Sequence, residues 1–192
     1  MTPQLRADAA RNREQLLATA RGAMAEGDLA LQLNDIARRA GVGVGTAYRH
    51  FPTRRALVEA LADHCFTTLV EQARGASRHE DPWTAVELLL RALLLGQLTD
   101  PAFAEVIATG PDQDAVARTT THREEFMASA RAVLDRAQRA GCVRPDLSQD
   151  DLHRLVCGTA FALRIGADPT GRLELYLRVL LDGIHAGRPA RS

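Results

Sequence analysis

Apolar positions recur three and four residues apart along nearly the whole chain, and β-branched and aromatic residues are sparse. That spacing is the period of an α-helix, so the pattern predicts an all-helical protein. A first helix is expected over 8–25, with Leu16, Leu17, Ala20 and Met24 inward and Glu26-Gly27 ending it. A second, over 33–40, carries Leu33, Ile36, Ala37 and Ala40 on one face and stops at Gly41, a residue suited to a helix terminus. The third is short, 44–51, and Pro52 halts it. Thr53 is placed to cap a fourth helix running to 74, ahead of a polar link over 75–81. Pro82 opens a fifth helix, 83–98, and Asp100-Pro101 opens a sixth that ends near 109. After a break at Gly110-Pro111, a seventh helix is expected over 114–140, closed by Gly141. An eighth, over 149–165, and a ninth, over 170–186, complete the chain before a loose tail at 187–192.

Composition narrows this picture only modestly. The formal charge is zero over 192 residues, so the whole-chain balance points to no partner. Its distribution is less even: residues 1–60 carry nine arginines against six carboxylates, and the rest carries fifteen against eighteen. Every basic side chain is arginine, which follows from a base-composition bias and also suits phosphate contacts. Cys65, Cys142 and Cys157 are too few and too scattered for a disulfide framework. The opening residues are polar, unlike a signal peptide, and no apolar run is long enough to span a bilayer. A cytoplasmic protein with no membrane partner is expected.

The most informative stretch is LNDIARRAGVGVGTAYRHFPTRRAL, residues 33–57. It reads as two short helices joined at a glycine, then a capped helix beginning with two arginines. A helix-turn-helix needs a small residue at its turn, apolar positions that lock the helices, and an outward face that reads DNA. Gly41 supplies the turn, and Ile36, Ala37, Ala40, Val42, Ala47 and Phe51 can supply the small core. The face left over is Gly43, Val44, Gly45, Thr46, Tyr48, Arg49 and His50. The two glycines allow close approach to a duplex, Thr46 can meet a base edge, and Tyr48 and His50 can donate to phosphates. Arg54 and Arg55 fall in the first turn of the fourth helix, where the helix dipole disfavours cations by roughly 0.3–1 kcal/mol each. A nearby phosphate reverses that cost, although arginines at exposed helix starts also occur without any ligand.

The run DIARRAGVGVGTAYRHFPTRRALVEAL, residues 35–61, resembles the DNA-binding domain of the tetracycline-repressor (TetR) family of bacterial transcription regulators. The features that carry the resemblance are Ile36-Ala37, Gly41, the recognition helix ending Tyr48 to Phe51, and the basic Arg54. The resemblance implies that Thr46, Tyr48 and His50 touch DNA and that Arg54 grips its backbone. One departure is Gln32, a poor cap where the family usually places Thr or Ser before the second helix. The resemblance further implies a helix-turn-helix domain over 1–55 and a ligand-binding, dimerising domain over 56–192. Such a protein would be a ligand-responsive regulator, in the family's usual form a repressor, that binds a pseudo-palindromic operator as a homodimer and is released by a small apolar or amphipathic effector.

Within the larger domain, Leu152, Leu155, Val156, Thr159 and Leu163 line one stripe of the eighth helix. Leu173, Leu177, Leu180 and Ile184 line another on the ninth. Paired across two subunits these stripes would make a four-helix dimer interface; within one subunit they would be core. The fifth helix is apolar around much of its circumference, so it must be surrounded. Phe66, Leu69, Trp83, Leu90, Leu94, Phe103, Ile107, Phe126, Met127 and Phe161 are candidates for an effector pocket around it, or for ordinary core.

Other chemistry is thin. His153 and Cys157 lie four apart, a spacing that can hold a metal, but two ligands are too few. Cys142 beside Arg144 is the best candidate for a redox thiol. No phosphate-binding glycine loop or catalytic pair stands out, so neither an enzyme nor a cofactor is expected. The alternative to a DNA reader is an interaction or sensing module whose helix-turn-helix no longer contacts DNA.

Overall fold

Residues 3–109 and 117–187 are described by the structure, a computed structural model. Among them are nine helices: α1 Pro3–Ala25, α2 Leu33–Arg39, α3 Val44–His50, α4 Arg54–Arg78, α5 Pro82–Thr99, α6 Pro101–Thr109, α7 Ala117–Arg139, α8 Gln149–Arg164 and α9 Leu173–Ile184. The only non-helical pairing among the described residues is a single antiparallel bridge between Val143 and His185. The Gly110-Pro111 break, the 114–116 start expected for the seventh helix and the end of the tail beyond 187 lie outside the described residues.

The helix ends follow local chemistry. Thr53 Oγ1 accepts from the Ala56 amide at 3.1 Å, and Asp81 Oδ2 accepts from the Thr84 amide at 2.8 Å. Ser148 and Asp151 form a reciprocal capping box that starts α8. Gln32 makes no side-chain cap at α2. Gly41 ends α2 with φ +66°, a conformation that costs a side chain but not glycine.

Several expected boundaries move: α1 begins at Pro3 rather than 8, and α9 spans Leu173–Ile184 rather than 170–186. The fourth helix does not stop at 74 but continues through Gly75 to Arg78. Ala76 is buried, and Arg136 of α7 donates to the carbonyls of Ser77 (3.1 Å) and Ala76 (3.4 Å). Packing against α7 outweighs the roughly 1 kcal/mol helix cost of one glycine.

Two neighbourhoods share α4. α1, α2 and α3 pack together, and α1 also packs on α4. On its other sides α4 meets α5, α6 and α7, while α5 also touches α8 and α9 and so forms the axis of the larger part. Leu90 and Leu94 of α5 are wholly buried, and Phe66 of α4 meets Phe103 of α6 edge-on at 4.9 Å between ring centroids. A Cβ on Gly96 would lie 3.2 Å from both Cys65 Sγ and Phe103 Cε1, so glycine sets how closely α5 approaches these neighbours. Burying each such leucine contributes about 1.5–3 kcal/mol.

Candidate nucleic-acid interface

Ile36, Ala37, Val42, Ala47 and Phe51 are buried and Ala40 partly so, which locks α2 against α3. The turn between them is closed by the Val42 amide donating to the Ala37 carbonyl at 2.9 Å. With Ala47 and Phe51 facing inward, the opposite side of α3 is open to solvent. Gly43, Val44, Gly45, Tyr48 and Arg49 are exposed, and Thr46 and His50 are half-buried at its edges. A Cβ on Gly45 would meet nothing within 4 Å, so its place on that face is open. The seven residues expected on the reading face therefore share one surface.

Arg54 and Arg55 behave differently from the expectation. Arg54 donates from Nε to the Ala30 carbonyl at 2.8 Å and from Nη2 to the Leu29 carbonyl at 2.6 Å. Its Nη1 and Nη2 also meet Glu105 Oε1 and Oε2 of α6 at 2.6 and 2.9 Å. Arg55 donates from Nε to the buried Glu59 at 2.6 Å and from Nη1 to Thr109 Oγ1 at 2.8 Å. Both guanidinium groups are thus hydrogen-bonded within the subunit, Arg55 largely buried and Arg54 still 39% exposed. The physical reason is the nearby carboxylates: each arginine gains a charge-assisted bond that offsets the dipole penalty assigned to a phosphate from sequence. The Arg55–Glu59 pair was legible as an i, i+4 spacing. The Arg54–Glu105 pair, far apart in sequence, carried no such signal.

Arg54 also braces the α1–α2 turn. Leu31 there is fully buried with φ +44°, the only non-glycine positive φ among the described residues. Asp28 Oδ1 accepts from the amides of Ala30 (3.1 Å) and Leu31 (3.3 Å), so the strained turn is held from both sides.

In the larger part, the residues expected to dimerise split by face. Val156, Leu163, Leu173, Leu177, Leu180 and Ile184 are buried within the subunit, and Leu152 is packed against the same core. These seven are core, with Thr159 half-buried beside them; of the nine, Leu155 alone is exposed. The exposed apolar side chains are instead Leu155 and Phe161 on α8, Ile165 at its C-cap, and Leu175, Tyr176 and Val179 on α9. Phe161 is 59% exposed, Ile165 72% and Val179 64%. Phe161 is therefore not a pocket residue either. α8 and α9 are apolar on two faces, and the inward face takes the residues that fit against α5.

Of the other pocket candidates, Phe66, Leu69, Leu90, Leu94, Phe103, Ile107 and Phe126 join one buried cluster, with Met127 partly buried against it. Trp83 stacks edge-on against His185 at 4.8 Å, at the start of α5 and about 20 Å along that helix from Gly96, which abuts Phe103. It lies apart from the Phe66–Phe103 centre. Gln97 is buried among these helices, and its Nε2 has no hydrogen-bond partner among the described residues. Sequence reasoning missed it. Beside the cluster, a groove of about 260 Å³ between α4 and α5 is lined by Cys65, Leu69, Leu95 and Gly96. Burial and Asp100 push the Cys65 thiol up to about 12.

The minor candidates resolve as follows. Cys157 Sγ and His153 Nε2 lie 3.7 Å apart, as their spacing implies, and no group of three metal-ligating side chains occurs among the described residues. Arg144 is bidentate to Asp146 at 2.7 Å on both oxygens, so its charge is committed away from Cys142. No described helix is long and apolar enough to cross a membrane.

Comparison with known proteins agrees with this architecture. Residues 16–61 match the family described as bacterial regulatory proteins, tetR family. Residues 81–186, more than half of the chain, match the C-terminal domain described as transcriptional regulator SbtR-like. An uncharacterised HTH-type transcriptional regulator of Bacillus subtilis, YvdT, is 34% identical over 59 residues, which span 30% of each chain. A TetR transcriptional regulator of Streptomyces coelicolor is 29% identical, with 92% of this chain and 99% of that one covered and a TM-score of 0.56. The ketosteroid transcriptional regulator KstR2 of Mycobacterium tuberculosis shares the fold at 23% identity, TM-score 0.61, with 90% and 94% covered. The chain belongs to the TetR family of transcriptional regulators, DNA-binding proteins rather than enzymes.

Proposed function

We propose that the protein is a repressor that binds a pseudo-palindromic operator as a homodimer and releases it when a small apolar or amphipathic effector binds the larger domain. The observation that carries this reading is the outward face of α3, with Val44, Gly45, Tyr48 and Arg49 exposed over a buried Ala47 and Phe51. Seven residues of helix cannot hold a duplex alone, so two heads on a symmetric site supply the affinity. In this reading the head runs to residue 55, the effector and dimerisation domain runs from 56, and α4 belongs to both.

Leu155, Phe161, Ile165, Leu175, Tyr176 and Val179, all exposed on or beside α8 and α9, support dimerisation, because large apolar side chains left in water favour burial. Burying them against the same side chains of a second copy gives a two-fold interface. In this reading the effector enters by the α4–α5 groove beside the Phe66–Phe103 pair, and Gln97 of α5, whose buried Nε2 has no partner among the described residues, is its polar handle. The route to the head is short: Glu105 and Thr109 of α6 hold Arg54 and Arg55 of α4, and Arg54 holds the α1–α2 turn. An effector that shifts α6 moves the head through those bonds, and binding is coupled by its differential affinity for the two arrangements. The site of action is the bacterial cytoplasm.

The test is selection of sheared genomic DNA by purified protein, followed by release with candidate effectors. One enriched pseudo-palindrome, lost in Tyr48→Ala with the fold retained, supports the reading. Retention of a protein partner without any DNA enrichment favours an interaction module instead.

A further inference from the structure

Arg54 and Arg55 are engaged by partners within the subunit, so the other cations of the head are the ones with donors left for a DNA backbone. Arg38 pairs with Asp35 at 2.5 Å and Arg39 with Glu26 at 2.8 Å. Arg13 of α1 and Arg49 of α3 are exposed, and among the described residues neither has a carboxylate within ion-pair distance. Both line one cleft of about 350 Å³ together with His50. Arg13 Cζ sits 5.3 Å from the centre of the Phe51 ring, so the head's own core residue holds this guanidinium beside the end of the recognition helix. Two carboxylates also line the cleft. Glu59 is wholly buried and already bonded to Arg55 at 2.6 Å, and Asp63 lies 3.8 Å from His122 Nδ1. Glu59 is thereby partly neutralised, and the two exposed arginines outnumber the partly exposed Asp63 among the remaining charges of the cleft.

We propose that Arg13, Arg49 and His50 form a phosphate-binding cleft at the end of the recognition helix, and that the backbone grip of this protein runs through that cleft in place of Arg54. The inference rests on the DNA-reading function above and deepens it. The ligand chemistry is a duplex phosphate diester. Arg13 supplies a planar fork of donors oriented by Phe51, and Arg49 and His50 supply donors from the adjacent helix turn. α1 then acts as part of the reader as well as its support.

The experiment is fluorescence-anisotropy titration of the full chain with a duplex bearing the selected site and with a random duplex, at 50–300 mM salt. Wild type, Arg13→Gln, Arg13→Lys and Arg54→Gln are compared, with thermal melts to confirm folding. Each phosphate contact contributes about 0.9 to the slope of log affinity against log salt. Each subunit places one Arg13, so Arg13→Gln is expected to flatten the slope by about 2 per dimer and to weaken both duplexes alike. Arg13→Lys keeps the slope because it keeps the charge, and Arg54→Gln keeps it because that guanidinium faces Glu105. An unchanged slope in Arg13→Gln overturns the proposal. So does equal weakening by Gln and Lys without a slope change, the mark of a merely structural stack on Phe51. If wild type binds neither duplex, it is the DNA-reading function itself that fails.

Discussion

The N-terminal head (α1–α3) and the larger helical part are built from the same kind of helix but reveal themselves differently. In the head, α2 and α3 are each seven residues long, so every position is either core or face, and glycine and proline mark the ends. In the larger domain, α8 and α9 carry apolar residues on both the buried and the exposed sides. The head has one hydrophobic surface and therefore one way to pack. The larger domain has two, one for α5 and one left over, and that surplus is what a dimer needs.

The sharpest way to break this comparison is to disrupt each face in turn. Phe161→Glu sits on the exposed side, so the monomer stays folded while the dimer is lost; sedimentation shows half the mass, and operator affinity falls by about 100-fold or more. Leu163→Ala sits two residues on, on the buried face, and leaves a cavity worth about 2–5 kcal/mol. Its thermal midpoint drops while the dimer persists. Were Phe161→Glu to unfold the chain and Leu163→Ala to leave it untouched, the assignment of faces would be reversed.

A smaller effect sharpens the account of the effector centre. Replacing Gln97 with Leu removes a buried donor that lacks a partner, at a gain of about 1–3 kcal/mol. The variant melts higher than wild type and responds less to effector. Lower stability would mean that Gln97 is satisfied in solution.

Smallest of all is a chemical contrast between cysteines. Cys65, held near 12 by burial and Asp100, stays a protonated thiol at pH 8, and the thiolate is the reactive form. Alkylation at pH 8, followed by peptide mapping, is expected to label Cys65 more slowly than Cys142 by at least about tenfold. Cys65 then becomes reactive as the pH rises towards 12. Fast labelling of Cys65 would place the α4–α5 groove open to solvent.

The order of elements and most of their ends were legible in the sequence, because helical period, Gly41, Pro52, Thr53 and Pro82 act locally. The outward side of α3 was legible for the same reason: once Ala47 and Phe51 face inward, Tyr48 and Arg49 have nowhere to point but out. What escaped depends on distant partners. Glu105 is 51 residues from Arg54, so nothing near Arg54 warned that its charge was taken. The choice between the Leu163 and Phe161 faces of α8 is made by α5, and both faces look equally apolar in one dimension. Gly75 was read as a stop, yet α7 holds the helix through it.

The central claim is that the outward face of α3 reads DNA. Its most direct test is selection of sheared genomic DNA at about 0.15 M salt, where weak long-range contacts are screened, by wild type and Tyr48→Ala in parallel. The account predicts one enriched pseudo-palindromic site with wild type and none with Tyr48→Ala, both proteins being equally folded. Equal enrichment by the two proteins, or none by wild type purified through unfolding and refolding to strip any bound effector, would contradict it.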